Sequence, residues 1–201
     1  MELSAIDRAS WNEVVGRFAA RTVFHRLEWL ELLEEHHGGE LLLLGGRDEG
    51  EVVAVWPVMT VRRGPLRVAG SPLPGWSSAY MGPLGLEPDH ATRLVCAAGA
   101  GPLRGVSYSE IRAVDHGGEP VDLEPCGYEV LERFETYLLD LPGDTEALWS
   151  GVTSKCRNAV RKGRRNGFEV RIETGDDFVG DFWRMSCEVF GRWGIAPGYD
   201  E

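Results

Sequence analysis

The chain has 201 residues, of which 43% are hydrophobic and 26% charged, and its formal net charge is -11 at pH 7. This composition is typical of a soluble globular protein, and no run approaches the ~20 apolar residues of a membrane-spanning helix. The acidic balance argues against broad nucleic-acid binding, but a local basic site for a phosphate-bearing small molecule remains compatible with it. The N-terminus has no signal-peptide pattern, so we expect a cytoplasmic protein.

The four cysteines, at positions 96, 126, 156 and 187, never form a Cys-x-x-Cys pair. Zinc sites and redox motifs need close pairs, so neither is indicated, and we expect no metal. In the cytoplasm we expect all four to be reduced and packed as small apolar groups.

Two helices are predicted at the start of the chain. Ser10 and Glu13 have the spacing of a capping box, which predicts a helix from Trp11 to about Ala20. An extended lead-in, Thr22 to His25, precedes a second helix from Leu27 to about His36, which two glycines end.

The next segment has the pattern of a hairpin of buried strands. Leu41–Leu44 and Val52–Val61 are apolar runs separated by a polar turn. Pro57 has no N–H, so we expect it at a bulge or where no ladder partner is needed. Leu66–Ala69 is predicted as the third strand.

A loop rich in glycine and proline, Ser71 to Gly85, carries Trp76 and Tyr80. Loops of this kind often line a ligand cleft, which makes Trp76 and Tyr80 candidate substrate-binding residues. Alternatively, the two rings hold the long loop onto the sheet.

Further elements are predicted along the rest of the chain. They are a helix from Pro88 to about Ala98, strands at Val106–Ile111, within Gly127–Leu141 and at Phe168–Glu173, and a helix from Phe178 to about Trp193. The residues after Gly194 match no element, and we expect the chain to be part of a longer protein.

One helix is predicted to hold most of the local positive charge. Between positions 155 and 165 there are six basic residues and no acidic one. Trp149, Val152, Cys156 and Val160 follow each other at steps of three, four and four, which predicts one apolar stripe on a helix.

Four basic residues of this helix are candidates for holding a phosphate-bearing substrate: Lys155, Arg157, Arg161 and Lys162. Their charge, and for arginine two-point hydrogen bonding, suits that chemistry. Alternatively, they form a solvated face that complements the negative end of the helix dipole.

Three motifs resemble the FemAB-like branch of the GNAT N-acyltransferase superfamily. They are Thr22–Leu30, Ala79–Leu84, and Thr136–Leu141 followed by Leu148-Trp149 and Ser154–Lys162. The resemblance implies an α/β (α+β) fold with a mixed, mostly antiparallel sheet flanked by helices. It also implies a first GNAT-like domain over 1–141 and the incomplete beginning of a second over 142–201.

The function implied by the resemblance is transfer of an acetyl or aminoacyl group from acyl-CoA or aminoacyl-tRNA to an amine. The acceptor would be a small molecule or a cell-envelope precursor, no cofactor would be permanently bound, and much of the donor site would lie in a missing C-terminal half. Tyr80 matches the tyrosine that family members turn toward the acceptor. No Ser-His-Asp or Cys-His arrangement is present, so the catalytic residues stay unassigned.

Two other classes of function remain open. The basic helix also suits a module that binds tRNA or another anionic polymer. A noncatalytic scaffold half would instead pair with a partner domain, and Trp183, Phe190 and Trp193 are the residues expected at that interface.

Overall fold

The computed structural model describes residues 1–76, 78–113, 121–137, 139–141 and 143–197, and the side chain of Pro88 lies outside the description. Leu138 and Pro142, from the predicted strand and its end, are therefore not described, and neither are residues 198–201. The chain forms two compact units, Met1–Leu131 and Glu132–Glu201. A domain boundary at residue 141 stays a prediction.

The first unit is built on one mixed sheet. Its strands, among the described residues, are β1 (Glu2–Ala5), β2 (Glu40–Asp48), β3 (Glu51–Arg63), β4 (Leu66–Ser71), β5 (Leu84–Gly85) and β6 (Tyr108–Ile111). The order is β1-β2-β3-β4-β6, and β5 pairs with β3. Every pairing is antiparallel except β4 with β6. The α/β fold class with a mostly antiparallel sheet is confirmed.

Helices cover both faces of this sheet. They are α1 (Arg8–Val15), α2 (Leu27–His37) and α3 (Pro88–Ala100), with short 3-10 helices at Val23–His25 and Glu124–Cys126. Because successive side chains of a strand point to opposite faces, β3 contributes to two cores. Val55 and Met59 pack on the α1–α2 side, whereas Trp56 and Val58 pack on the α3 side.

The predicted hairpin is confirmed, and its proline has a specific place. Pro57 lies opposite Leu43 of β2. On the other edge of β3, the pairing with β5 ends at Val55 and the pairing with β4 begins at Met59. Pro57 thus sits where no ladder bond needs its missing N–H, and its carbonyl accepts from the buried Ser71 hydroxyl at 2.6 Å.

The N-terminal helix differs from the prediction in both bounds. It begins at Arg8, and the Ser10 hydroxyl donates to the Asp7 carbonyl at 3.1 Å instead of capping the helix. The helix ends at Val15, because the chain must turn after Gly16 for Phe18 to enter the core. Ser10 and Glu13 therefore lie inside the helix. The Ser-x-x-Glu spacing alone does not show whether the serine is the N-cap or a residue of the first turn.

The predicted extended lead-in to α2 is wrong, because Val23–His25 is a 3-10 turn. The Thr22 hydroxyl accepts from the Phe24 N–H at 3.3 Å, and the Thr22 N–H donates to Nδ1 of His25 at 3.1 Å. This reciprocal capping depends on a histidine in the place usually held by Glu or Gln. The end of α2 is as expected, since Gly38 follows His37 in the left-handed conformation.

The prediction of four reduced cysteines is wrong for two of them. Cys96 of α3 is disulfide-bonded to Cys126, with their Cα atoms 4.8 Å apart, while Cys156 and Cys187 are free. The Thr92 hydroxyl donates to the Asp122 carbonyl at 2.7 Å and holds the same segment against α3. The spacing of cysteines in the sequence does not reveal this disulfide bond. It forms because folding packs the segment around Cys126 against α3, 30 residues earlier in the chain.

The second unit contains α4 (Thr145–Gly151), α5 (Ser154–Arg165) and α6 (Val179–Arg192). The final helix is confirmed, but the continuous helix predicted through Trp149 and Val160 is interrupted. Val152 is extended, and the Thr153 hydroxyl caps the new helix by accepting from the Cys156 N–H at 3.3 Å. A local cap therefore overrides the apolar spacing.

Within the described residues, neither of the two strands predicted around this helix pair forms. No described residue of 127–141 or 168–173 belongs to a ladder. Strands need a neighbour to satisfy their N–H and C=O groups, and the described part of this unit supplies none. The alternation of Phe168, Val170 and Ile172 therefore leaves apolar side chains that are 74%, 97% and 91% exposed.

Candidate functional site

The loop between β4 and α3 lies along α2. Trp76 is the first residue of this loop that contacts the helix. The indole of Trp76 stacks on the imidazole of His37 in the last turn of α2, with ring centroids 4.1 Å apart and planes inclined by 13°. Trp76 is half-buried and also packs against the core on the α1–α2 side. The ring thus holds the loop against the last turn of α2 and against the core beneath it.

The other contacts of this loop lie toward the start of α2. Nε1 of Trp29 donates to the Ser78 hydroxyl at 2.8 Å. The ring of Tyr80 meets Phe24 edge-on at 6.0 Å, and Phe24 meets Trp29 edge-on at 5.5 Å. Tyr80 therefore belongs to an aromatic cluster of three residues: Phe24, Trp29 and Tyr80.

The two loop residues predicted from the sequence contact different parts of α2 and its lead-in. Trp76 contacts the end of α2, while Tyr80 contacts the turn that precedes it. Sequence reasoning did not select Phe24 and Trp29 as site residues, although both lie in the first of the three motifs.

A surface pocket of about 380 Å³ lies beside the aromatic cluster. It is lined by Val23, Arg26, Glu28, Trp29 and Leu32. Val23 and Leu32 are 62% and 55% exposed, so the pocket has an unusually apolar rim for a surface. It combines an indole, two aliphatic side chains and one ion pair.

The charge in this pocket is set by Glu28. Arg26 donates two hydrogen bonds to the Glu28 carboxylate, at 2.9 and 3.2 Å, and the Asn12 amide donates two more at 3.1 Å. The Arg26 hydrogen bonds, followed by the Glu28 backbone N–H and Asn12, lower the pKa of Glu28 to about 2. Glu28 is consequently an anion at every physiological pH.

The carboxyl end of the parallel pair β4–β6 is filled by the chain itself. In α/β sheets ligands commonly bind in the crevice at this end. Here the Arg112 N–H donates to the Ser71 carbonyl at 2.9 Å, and the Gly82 N–H donates to the Arg112 carbonyl at 3.0 Å. A Cβ on Gly82 would lie only 2.7 Å from Cα of Ala113, so the packing has no spare room.

His25 locks the loop into that position. Its side chain is buried, and Nδ1 accepts from the Thr22 N–H, so Nε2 carries the proton and donates to the Gly82 carbonyl at 3.0 Å. Nε1 of Trp11 donates to the His25 carbonyl at 2.7 Å. His25 is therefore a positioning residue that joins α1, the start of α2 and the loop.

The four basic candidates all lie on α5 but occupy two of its faces. Positions 155 and 162 are seven residues apart and share a face, and positions 157 and 161 are four apart and share another. At about 100° per residue the centres of these two faces are ~130° apart around the helix. One small anion cannot touch all four side chains.

The structure distinguishes the two arginines. Arg157 is half-buried, and its Nη1 donates to the carbonyls of Trp149 and Ser150, at 3.3 and 3.1 Å, and also to that of Val152. Its charge thus complements the carbonyl end of α4. Arg161 is exposed and bonds only the Asn158 amide oxygen, at 3.2 Å, within the part of the chain that the structure describes.

The two lysines are fully available to a ligand. Lys155 and Lys162 are exposed, and neither has a hydrogen bond or an ion pair to any described residue. Arg161, Lys155 and Lys162 are therefore the stronger phosphate-binding candidates, and Arg157 has a structural role in addition.

The described residues contain neither a cluster of metal ligands nor a membrane-spanning helix. No group of three or more His, Cys, Asp or Glu side chains in that part of the chain has the arrangement to hold a metal ion. None of the described helices is both long and apolar enough to cross a bilayer.

Two solved structures resemble this chain at low similarity. One is an aminoglycoside antibiotic 6'-N-acetyltransferase from Acinetobacter haemolyticus, with 13% identity and a TM-score of 0.39 over 71% of this chain and 100% of that one. The other, from Agrobacterium tumefaciens, is classed provisionally as an acetyltransferase and has 12% identity and a TM-score of 0.39 over 70% of this chain and 100% of that one. No family model and no curated protein sequence matches the chain.

Proposed function

We propose that the chain is part of an N-acyltransferase of the GNAT type, in its FemAB-like branch. One observation carries this proposal: two of the motifs on which the resemblance rests meet in the structure. Phe24 of the first motif contacts the ring of Tyr80 in the second, and Nε2 of His25 donates to the Gly82 carbonyl. Residues more than 50 positions apart in the sequence thus contact each other. This is expected if the two motifs form one site that the family shares.

The reaction would transfer an acetyl or aminoacyl group from acyl-CoA or aminoacyl-tRNA to an amine. Such a transfer needs no covalent intermediate on the protein; it requires the amine to be oriented toward the carbonyl, the carbonyl to be polarised, and one proton to be removed. The acceptor would bind at the aromatic cluster, where Tyr80 offers a hydroxyl and Trp29 an apolar ring. A small molecule or a cell-envelope precursor with an amine fits this surface.

The phosphate groups of a donor would be held by α5. Arg161 offers two-point hydrogen bonding, and Lys155 and Lys162 offer point charges from the other face of the helix. The filled crevice between β4 and β6 supports a donor site elsewhere than in the first unit. We propose that a C-terminal GNAT-like half completes it.

A calorimetric titration with acetyl-CoA, and separately with aminoacyl-tRNA, tests the donor assignment. We expect one of them to bind, and R161A or K162A to weaken binding by about tenfold, more at low salt. Arg171→Ala removes an equal charge from an exposed position outside α5 and is the matched control. If neither donor binds the folded chain, or R171A weakens binding as much as R161A, the assignment of α5 is wrong.

A test of the acceptor surface is independent of α5. Titrating small primary amines while recording amide resonances should shift those of Trp29 and Tyr80. Tyr80→Phe keeps the ring but removes the hydroxyl, and we expect weaker amine binding without loss of stability. Unchanged affinity in Y80F would exclude a role for that hydroxyl.

A scaffold half is the second candidate function, and α6 carries the observation that favours it. Phe182, Met185, Val189 and Trp193 form one stripe and are 49%, 51%, 50% and 78% exposed. Of the three residues expected at an interface, Trp193 is exposed, whereas Trp183 and Phe190 are half-buried. The scaffold function would be supported by a chain that binds neither the donors nor the amines, but that associates with a partner domain through this stripe.

A further inference from the structure

The β3–β4 hairpin contains a pair of arginines in an unfavourable arrangement. Arg62 of β3 and Arg67 of β4 are direct cross-strand partners. Side chains of such a pair lie on the same face of the sheet, with Cβ atoms about 4.5–5.5 Å apart, and like charges in this position destabilise the pair. A nearby acid or an anionic ligand would offset this repulsion.

No acid among the described residues forms an ion pair with either arginine. No carboxylate in that part of the chain lies within 4.0 Å of either guanidinium. Arg62 is exposed and has no hydrogen bond to any described residue, and Arg67 donates only to the Pro102 carbonyl, at 3.0 Å. Most of the N–H groups of both side chains are therefore free for a ligand.

The two arginines line one polar pocket of about 520 Å³. Its other walls are Gly38, Gly39 and Glu40, from the connection between α2 and β2, and Thr60 and Val61 of β3. The Thr60 hydroxyl donates to the Glu40 carboxylate at 3.3 Å. Glu40 thus lies across the pocket and accepts hydrogen bonds, but it does not pair with the arginines.

We propose that this pocket binds a small molecule that carries a phosphate and, next to it, an amine or hydroxyl. The phosphate lies between Arg62 and Arg67, which suit it because guanidinium groups bind phosphate oxygens by paired hydrogen bonds. The neighbouring donor reaches Glu40, whose negative charge disfavours a ligand that is only an anion. The lining of the site shares no residue with the aromatic cluster, and the site goes beyond the proposed transfer reaction.

The test uses calorimetry at constant ionic strength with phosphoethanolamine and with ethyl phosphate, which lacks the amine. We expect phosphoethanolamine to bind more tightly, and R62A and R67A each to weaken it by at least about tenfold. Glu40→Gln should bring the two ligands to similar affinity. Amide resonances of Thr60 and Arg67 should shift on binding.

Arg63→Ala is the matched control, because it removes the same charge from the next position of the same strand. The Arg63 side chain points to the opposite face, where it lowers the pKa of His37. We expect R63A to bind phosphoethanolamine like the unmodified chain. R62A should fold normally, because Arg62 has no partner in the described part of the chain.

Three outcomes would overturn the proposal. These are no binding of either ligand to the unmodified chain, an equal loss in R63A and R62A, and a loss in R161A that R62A does not show. The last outcome would assign the phosphate to α5 and leave the hairpin without a ligand.

Discussion

The indole of Trp76 lies almost parallel to the imidazole of His37, with the ring centroids 4.1 Å apart. This contact joins a loop between β4 and α3 to the last turn of α2, and it covers one face of a titratable ring. Burial, followed by the positive charges of His36 and Arg63, lowers the pKa of His37. The fold thus favours the neutral form of this histidine.

The first prediction concerns the pH dependence of that stack. Since the pKa of His37 is lower in the folded state, the unfolded chain takes up its proton first as pH falls. We therefore expect stability to decline from about pH 6.5 downward, and His37→Gln to reduce that slope. Denaturant unfolding at a series of pH values measures it.

Removing the stacking partner provides the control for this prediction. Trp76→Ala exposes the imidazole, so its pKa should rise toward the ordinary value, which a titration by NMR detects. A pKa of His37 that is unchanged in W76A would show that burial under the indole is not the cause.

The second prediction concerns Glu28, whose carboxylate links α1 and α2. Because its folded pKa is about 2, the ion pair with Arg26 stabilises the fold above the ordinary carboxyl pKa and is lost as pH falls toward 2. Arg26→Ala should raise the pKa of Glu28, as followed by carboxyl carbon NMR. Arg17→Ala removes an exposed arginine paired at 3.7 Å with Glu51 and should leave Glu28 unchanged.

The third prediction compares two buried tryptophans. Trp11 and Trp56 are both fully buried, but Nε1 of Trp11 donates to the His25 carbonyl, whereas Nε1 of Trp56 has no partner among the described residues. Trp11→Phe removes a buried hydrogen bond to the His25 carbonyl, while Trp56→Phe removes an N–H that has no partner among the described residues. We expect W11F to lower the free energy of unfolding by about 1–3 kcal/mol more than W56F.

Thermal or denaturant unfolding of the two variants decides this comparison. Both changes remove a similar volume from a core, so the cavity contribution is matched. Equal losses would mean that the hydrogen bond of Trp11 adds nothing beyond packing.

The fourth prediction concerns the filled crevice at the end of β4 and β6. Gly82→Ala would place a Cβ 2.7 Å from Cα of Ala113, a backbone atom that cannot move aside easily. We expect a loss of about 1–3 kcal/mol in the free energy of unfolding. Gly99→Ala in α3 meets nothing within 4 Å and should stabilise by about 0.5–1 kcal/mol. Equal effects in both variants would contradict the close packing of the loop.

The sequence alone determined the features that depend on neighbouring residues. The two apolar runs of β2 and β3 and the polar turn between them predicted their hairpin, and a glycine after His37 predicted the end of α2. The helical spacing of Phe182, Met185 and Val189 likewise predicted α6. These signals are local, because hydrogen bonds and side-chain faces repeat within a few residues along a helix or strand.

Only the tertiary structure decided the features that join distant residues. The Cys96–Cys126 bond, the contact of Phe24 with Tyr80 and the pairing of Arg62 with Arg67 follow from the packing of the loop and α3 and from strand register. The periodicity of a sequence does not predict these contacts, because their free energy depends on which surfaces the folded chain brings together.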